Sequence, residues 1–307
     1  MIHDRSHIET EKSNPAAADL DQMPLLDAVL LINQEDQRAV AAVAQQAPAI
    51  AQAVELAAHA FRSGGRLIYV GAGTSGRLGI LDAAECPPTF SSDPGMVIGI
   101  IAGGSAAITR SIENVEDDPQ AAAQALHDID LGNRDVVLGI AAGGTTAFVH
   151  GAIAEARKRS AKTIFLACTR REHITAEADL FICLDTGPEI LTGSTRLKAG
   201  TATKLVLNTI STLAMAQIGK VYGNVMVDVD CLKNRKLIDR GTRIIMQITG
   251  ITRPEAMILL QQANGQVKRA IVMHARRCDA PTADQILAQS AGFLRRAINP
   301  SADKRNQ

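Results

Sequence analysis

The chain has no tryptophan, two tyrosines and six phenylalanines, so aromatics make up only 3% of its 307 residues. Reading nucleic acid by base stacking needs aromatic platforms beside a basic groove. Neither is present: Lys+Arg and Asp+Glu both number 32, the formal net charge is zero, and no basic block interrupts the sequence. Long hydrophobic runs are missing too. The apolar stretches are strand-length and broken by glycine, so no membrane-spanning helix is expected. The opening residues, Met1 to His7, are polar and lack the apolar centre of a secretion signal, which points to a cytoplasmic location. Cysteine is sparse. Cys86, Cys168, Cys183, Cys231 and Cys278 are odd in number, scattered, and never paired with each other or with histidine at metal spacing. Neither a disulfide framework nor a metal centre is expected, and Cys168 and Cys183, inside apolar runs, read as small buried hydrophobes.

Against these absences stands a 46% hydrophobic fraction, ample for one large α/β domain and a smaller unit. Residues 1–23 are polar and alanine-rich, an extended arm. A helical pattern starts near Pro24, and a second runs from Pro48 to Arg62 before stopping at Ser63-Gly64-Gly65. Strand-like runs follow at Leu67–Val70, Val97–Ile101, Val136–Ile140, Thr163–Cys168 and Leu180–Leu184, mostly separated by helical stretches. Such alternation predicts a parallel five-stranded sheet with helices on both faces, a three-layer α/β/α fold. A long helix reaches about Ile218. Beyond Thr252-Arg253-Pro254-Glu255, a capping box with proline in its first turn, come helices over Val267–Arg277 and Thr282–Leu294, so the chain is expected to end in a small three-helix unit. The boundaries drawn from this pattern are 1–63 for the arm and N-terminal helices, 64–240 for the sheet domain and 241–307 for the C-terminal helices.

The first strand ends in Gly71-Ala72-Gly73-Thr74-Ser75-Gly76-Arg77 and opens a helix. Glycines let backbone approach a ligand, Thr74 and Ser75 supply hydroxyls, and the unpaired N–H groups of a helix start favour an anion. A tight corner of a parallel sheet has a similar composition. The spacing also fits the dinucleotide fingerprint, but the second strand ends in Ile101-Ala102-Gly103-Gly104 with no ribose-binding acid, so no nucleotide cofactor is expected and a smaller phosphate fits better.

Three further segments carry chemistry. In Ala84-Glu85-Cys86-Pro87-Pro88, proline is expected to stop the helix just after an acid. A carboxylate there would feel the negative end of the helix dipole, which disfavours ionisation and suits a general acid. The cluster Glu113-Asn114-Val115-Glu116-Asp117-Asp118 gathers like charges that can tune a base, or forms a solvated turn. Gly193-Ser194-Thr195-Arg196-Leu197-Lys198 brings hydroxyls and cations to another helix start, for capping, ligand binding or both.

From about Thr10 to Ile298 the sequence resembles N-acetylmuramic acid 6-phosphate etherases, members of the sugar isomerase domain superfamily. The resemblance rests on Gly71–Phe90, Ile101-Ala102-Gly103-Gly104, Gly193–Asn208, the Gly223–Val229 run and Gly292-Phe293-Leu294-Arg295. It implies a cytoplasmic homodimer without metal or cofactor, a sugar isomerase domain and a ubiquitin-associated-like C-terminal unit. It also implies cleavage of a D-lactyl ether to N-acetylglucosamine 6-phosphate and D-lactate, during cell-wall recycling and amino sugar catabolism. Matched residue by residue, Glu85 and Glu116 are the two catalytic carboxyls. Gly73, Thr74, Ser75, Gly76, Arg77, Gly144, Thr145, Thr146, Ser194, Thr195 and Lys198 hold the phosphosugar. The arm motif Thr10-Glu11-Lys12-Ser13-Asn14-Pro15 is expected to need a surface to dock on, with family precedent pointing to a neighbouring subunit. Departures occur where the family reads Ala-Ser-Gly-Arg-Thr-Pro and this chain has Ala142-Gly143-Gly144-Thr145-Thr146-Ala147, at Cys168-Thr169-Arg170, and in one extra residue before Asn234. A non-catalytic sugar-phosphate sensor and an aldose–ketose isomerase are the competing readings.

Overall fold

The computed structural model describes residues 8–229, 231 and 235–299; the expectations for Met1–His7 and for the extra residue before Asn234 lie outside them. Two compact units emerge. One comprises residues up to Ala84 together with Pro94–Ser211, the other Glu85–Asp93 together with Thr212 onward.

The first unit holds the sheet. Strands β1 (Leu67–Gly71), β2 (Val97–Ile101), β3 (Val136–Ile140), β4 (Lys162–Ala167) and β5 (Leu180–Cys183) pair in the order β2-β1-β3-β4-β5, and every pairing is parallel. β1 and β3 are buried at every position, which explains why they read as unbroken apolar runs rather than alternating ones. Helices α1 (Leu25–Gln45), α2 (Ala47–Arg62), α5 (Pro119–Asp128) and α6 (Ala147–Lys158) belong to this unit. The short α4 (Ala106–Thr109) lies in the connection after β2. One core cluster joins Ile68 and Val70 of β1 and Val137 of β3 to Leu126 of α5 and Phe148, Val149 and Ile153 of α6.

Two helices run from one unit into the other: α3 (Gly73–Phe90) and α7 (Lys198–Gln217). The expected stop at Pro87-Pro88 does not occur, and α3 continues to Phe90. Each proline lacks the N–H of one helical hydrogen bond and its ring crowds the carbonyl four residues earlier, which strains a helix here without ending it. Cys86 and Phe90, on either side of the two prolines, are buried, 2% and 6% exposed. Glu85 therefore lies outside the last turn, where the dipole argument applies.

The second unit adds a two-stranded antiparallel hairpin, β6 (Val221–Tyr222) and β7 (Val225–Met226), and helices α8 (Arg235–Thr249), α9 (Arg253–Gln262), α10 (Val267–Arg276), α11 (Ala280–Gln289) and α12 (Leu294–Ile298). Thr252 and Glu255 form the expected capping box. The third of the expected helices starts earlier than Thr282, because the Asp279 side chain caps it by accepting from the Thr282 N–H, and it ends at Gln289. No described helix is long and apolar enough to cross a membrane.

Candidate functional site

Strand order makes the site. β1 lies between β2 and β3, so the chain turns outward in opposite directions from β1 and β3, the place where parallel sheets hold ligands at their carboxyl edge. Two of the loops expected to bind phosphate leave these two strands: residues 71–76 after β1 and residues 141–146 after β3.

In the first loop, Gly71 and Gly76 serve close packing. A Cβ on Gly71 would lie 2.7 Å from the Gly76 nitrogen, and one on Gly76 would lie 2.6 Å from Ile101 Cγ1. Gly73 takes φ +51 and opens α3, with Thr74 and Ser75 half-buried in its first turn. Arg77 spends its guanidinium on the loop after β2, with Nε donating to Ile108 O at 2.9 Å and Nη2 to Arg110 O at 3.0 Å.

The second loop turns at Gly144, φ +79, where a Cβ would stand 3.0 Å from Ile174 Cγ1. His150 Nε2 bonds the Gly144 carbonyl at 2.7 Å, and Thr145 and Thr146 are half-buried beside it. A third loop, residues 191–197, precedes α7. Thr74 Cγ2 lies 3.6 Å from the Cβ position of Gly200, so the start of α3 approaches the first turn of α7.

Lys198 is placed differently from expectation. It is 1% exposed, and its ammonium meets Glu35 Oε2 of α1 at 2.5 Å, so it stabilises the interior instead of facing a ligand. Burial pushes the Glu35 carboxyl up, but Lys198, Asn14 and Arg38 together hold it below the usual carboxylate range. Glu189 caps α7 by accepting from the N–H groups of Lys198 and Ala199 at 3.0 and 2.9 Å, while its own burial pushes its carboxyl up. Sequence reading missed both glutamates, since nothing local distinguishes a buried one.

The polar arm docks on its own chain. Asn14 Nδ2 donates to Glu35 Oε2 at 3.0 Å and to Pro188 O at 3.4 Å, and the Gly193 N–H donates to the Thr10 carbonyl at 3.1 Å. These contacts give the arm a surface within its own chain.

The two expected catalytic carboxyls are both exposed. Glu85 lies near the end of α3 in the stretch belonging to the second unit, and Glu116 lies in the first, in a 3-10 turn over Val115–Asp117. Within that acidic cluster Asp118 is structural, capping α5 by accepting from the Gln120 and Ala121 N–H groups. Among the described residues no group of three or more His, Cys, Asp or Glu could hold a metal ion. None of the five cysteines forms a disulfide, and burial pushes the Cys168 thiol up to about 12, as expected of a packing residue. A separate cavity of about 370 Å³ in the second unit contains Lys220 and Lys268, which share Asp228 at 2.9 and 3.0 Å.

Residues 49–157 match the glucokinase regulatory protein N-terminal SIS domain family. A phosphoheptose isomerase from Neisseria gonorrhoeae, 17% identical, superposes with a TM-score of 0.48 over 63% of this chain and 100% of that one. Much closer are N-acetylmuramic acid 6-phosphate etherases. Those of Rippkaea orientalis and Gloeothece citriformis are each 52% identical over 298 residues, covering 97% of this chain and 97% of theirs, and that of Gloeobacter violaceus is 52% identical over 293 residues, 95% of each. Similarity of this depth from end to end shows that the chain belongs to the N-acetylmuramic acid 6-phosphate etherase family.

Proposed function

We propose that this protein is a carbon–oxygen lyase that splits the D-lactyl ether of N-acetylmuramic acid 6-phosphate, yielding N-acetylglucosamine 6-phosphate and D-lactate. The observation that carries the reading is a pair of hydroxyl-bearing loops at the β1/β3 switch point, in a chain whose relatives along 97% of its length are named for this activity. The 6-phosphate sits at the start of α3, where Thr74 and Ser75 donate alongside unpaired backbone N–H groups, with Thr145 or Thr146 and Ser194 or Thr195 completing its shell. Lys198 orders the third loop from beneath through Glu35.

The ether oxygen is a poor leaving group, so the sugar first opens to its aldehyde, which acidifies the C2 proton. Glu116 removes that proton and the C3–O bond breaks, leaving a C2–C3 double bond. Glu85 protonates the departing lactate oxygen, then takes a proton from the water that adds at C3 while a proton returns to C2. The exposure of both carboxyls allows contact with solvent water and substrate. The same reading places the enzyme in the cytoplasm, in cell-wall recycling, and treats residues 241–307 as a ubiquitin-associated-like unit.

We also infer a homodimer. Helix α1 leaves Leu25, Leu26, Val29, Leu30 and Ile32 exposed at helical spacing, 82% for Leu25 and 58% for Leu30, and a second copy would cover that stripe.

Incubation of purified protein with N-acetylmuramic acid 6-phosphate, followed by an assay for D-lactate, tests the main reading; stoichiometric lactate is expected. The match of residues 49–157 to a regulatory-protein domain favours one rival, a sugar-phosphate sensor, which would bind the phosphosugar and release none.

A further inference from the structure

Thr10 is 0% exposed, yet its Oγ1 has no hydrogen-bond partner among the described residues. Buried hydroxyls are normally paired, so such a group calls for a ligand. Its position names one. The Thr10 main chain is pinned to the third loop by the Gly193 N–H, and its Oγ1 lies 3.7 Å from the point that a Cβ on Gly143 would occupy. The same point is 4.0 Å from Thr145 Oγ1 and 3.7 Å from Ile8 Cγ2. Two hydroxyls from segments 135 residues apart in sequence thus border one small gap at position 143, which carries no side chain. Gly143 does not have a positive φ, so glycine is not demanded there by backbone conformation.

We propose that Thr10 is a substrate-binding residue whose hydroxyl donates to a phosphate oxygen of the phosphosugar seated against residues 142–146. Resting on the reading of that loop as an anion site, this adds a donor from the N-terminal arm. The neighbouring Glu11 carboxylate lies instead beside Gly193, 3.3 Å from its Cβ position. Binding the phosphate supplies the partner that the free protein withholds from Thr10, so the unpaired hydroxyl contributes to affinity at the expense of the unliganded fold.

The test compares wild type with Thr10→Val, which keeps the shape and removes the hydroxyl, Thr10→Ser, which keeps the hydroxyl, and Gly143→Ala, whose methyl fits at ordinary contact distance but occupies the gap. Calorimetric titration with N-acetylglucosamine 6-phosphate, unphosphorylated N-acetylglucosamine as control, and thermal melting without ligand are the readouts. Thr10→Val should melt no lower than wild type, bind the phosphosugar about ten- to a hundredfold more weakly, and raise KM with kcat held within about threefold. Thr10→Ser should stay near wild type, while Gly143→Ala should melt normally and bind weakly. Wild-type affinity in Thr10→Val or Gly143→Ala, or equal damage from Thr10→Ser, overturns the proposal, as does a lowered melting temperature in Thr10→Val with affinity unchanged. If wild type itself fails to bind the phosphosugar, the anion-site reading falls, and the proposal with it.

Discussion

A carboxamide can neither give nor take the protons that an elimination and a hydration exchange, so single residues carry the sharpest expectations. Glu85→Gln and Glu116→Gln should fold and melt as wild type does, because both side chains are exposed, yet each should lose about 10²–10⁴-fold in lactate release. Near-wild-type turnover in a lactate assay would remove that residue from the mechanism. The residue scale is also where local reading met its limits. Thr74 and Ser75, in the first turn of α3, and Thr145 and Thr146 follow the carboxyl ends of β1 and β3, as a hydroxyl after a glycine-rich turn suggests. Lys198 looked like a ligand for the same reason, but whether a lysine faces solvent or a buried acid depends on Glu35, 163 positions away.

Among elements, the most exacting junction joins the starts of β1 and β3. Asp135 accepts from the Arg66 N–H at 2.8 Å, from Arg66 Nη2 at 2.7 Å and from the Gly132 N–H at 2.9 Å, while Arg66 Nη1 reaches the Ile129 carbonyl beyond α5. Burial pushes the Asp135 carboxyl up, but these donors outweigh it and hold the group below the usual carboxylate range. A folded-state value below the unfolded one, about 3.9, stabilises the fold above that pH and stops doing so as pH falls through the lower value. Asp135→Asn should therefore cost about 3 kcal/mol at neutral pH by denaturant titration, and the gap to wild type should close in acid below about pH 4. The link between α1 and the start of α7 behaves similarly. Glu35→Gln leaves the Lys198 ammonium buried without its counter-charge, and a loss of about 3–5 kcal/mol is expected by the same measurement. A double variant, Glu35→Leu with Lys198→Met, should lie closer to wild type, since it removes both charges.

For the whole molecule, the exposed stripe of α1 predicts association. Wild type should sediment as a dimer, and Leu26→Glu with Leu30→Glu should shift it to monomer without lowering the helical signal in circular dichroism. A double variant that remains dimeric would move the interface elsewhere, and a monomeric wild type would remove it. At this scale the sequence by itself determined the order of strands and helices along the chain, the parallel sheet and the glycine-rich turn after its first strand. These follow from signals a few residues long: buried apolar runs, glycine at a strand end, a capping box at Thr252. Other features were decided only by tertiary structure. Helix α3 passes through Pro87-Pro88 with Cys86 and Phe90 buried on either side of them, the arm docks on Glu35, Pro188 and Gly193, and the Thr10 hydroxyl is left unpaired beside Gly143. Each depends on a partner that is distant in sequence, and no local pattern encodes which distant residue will supply it.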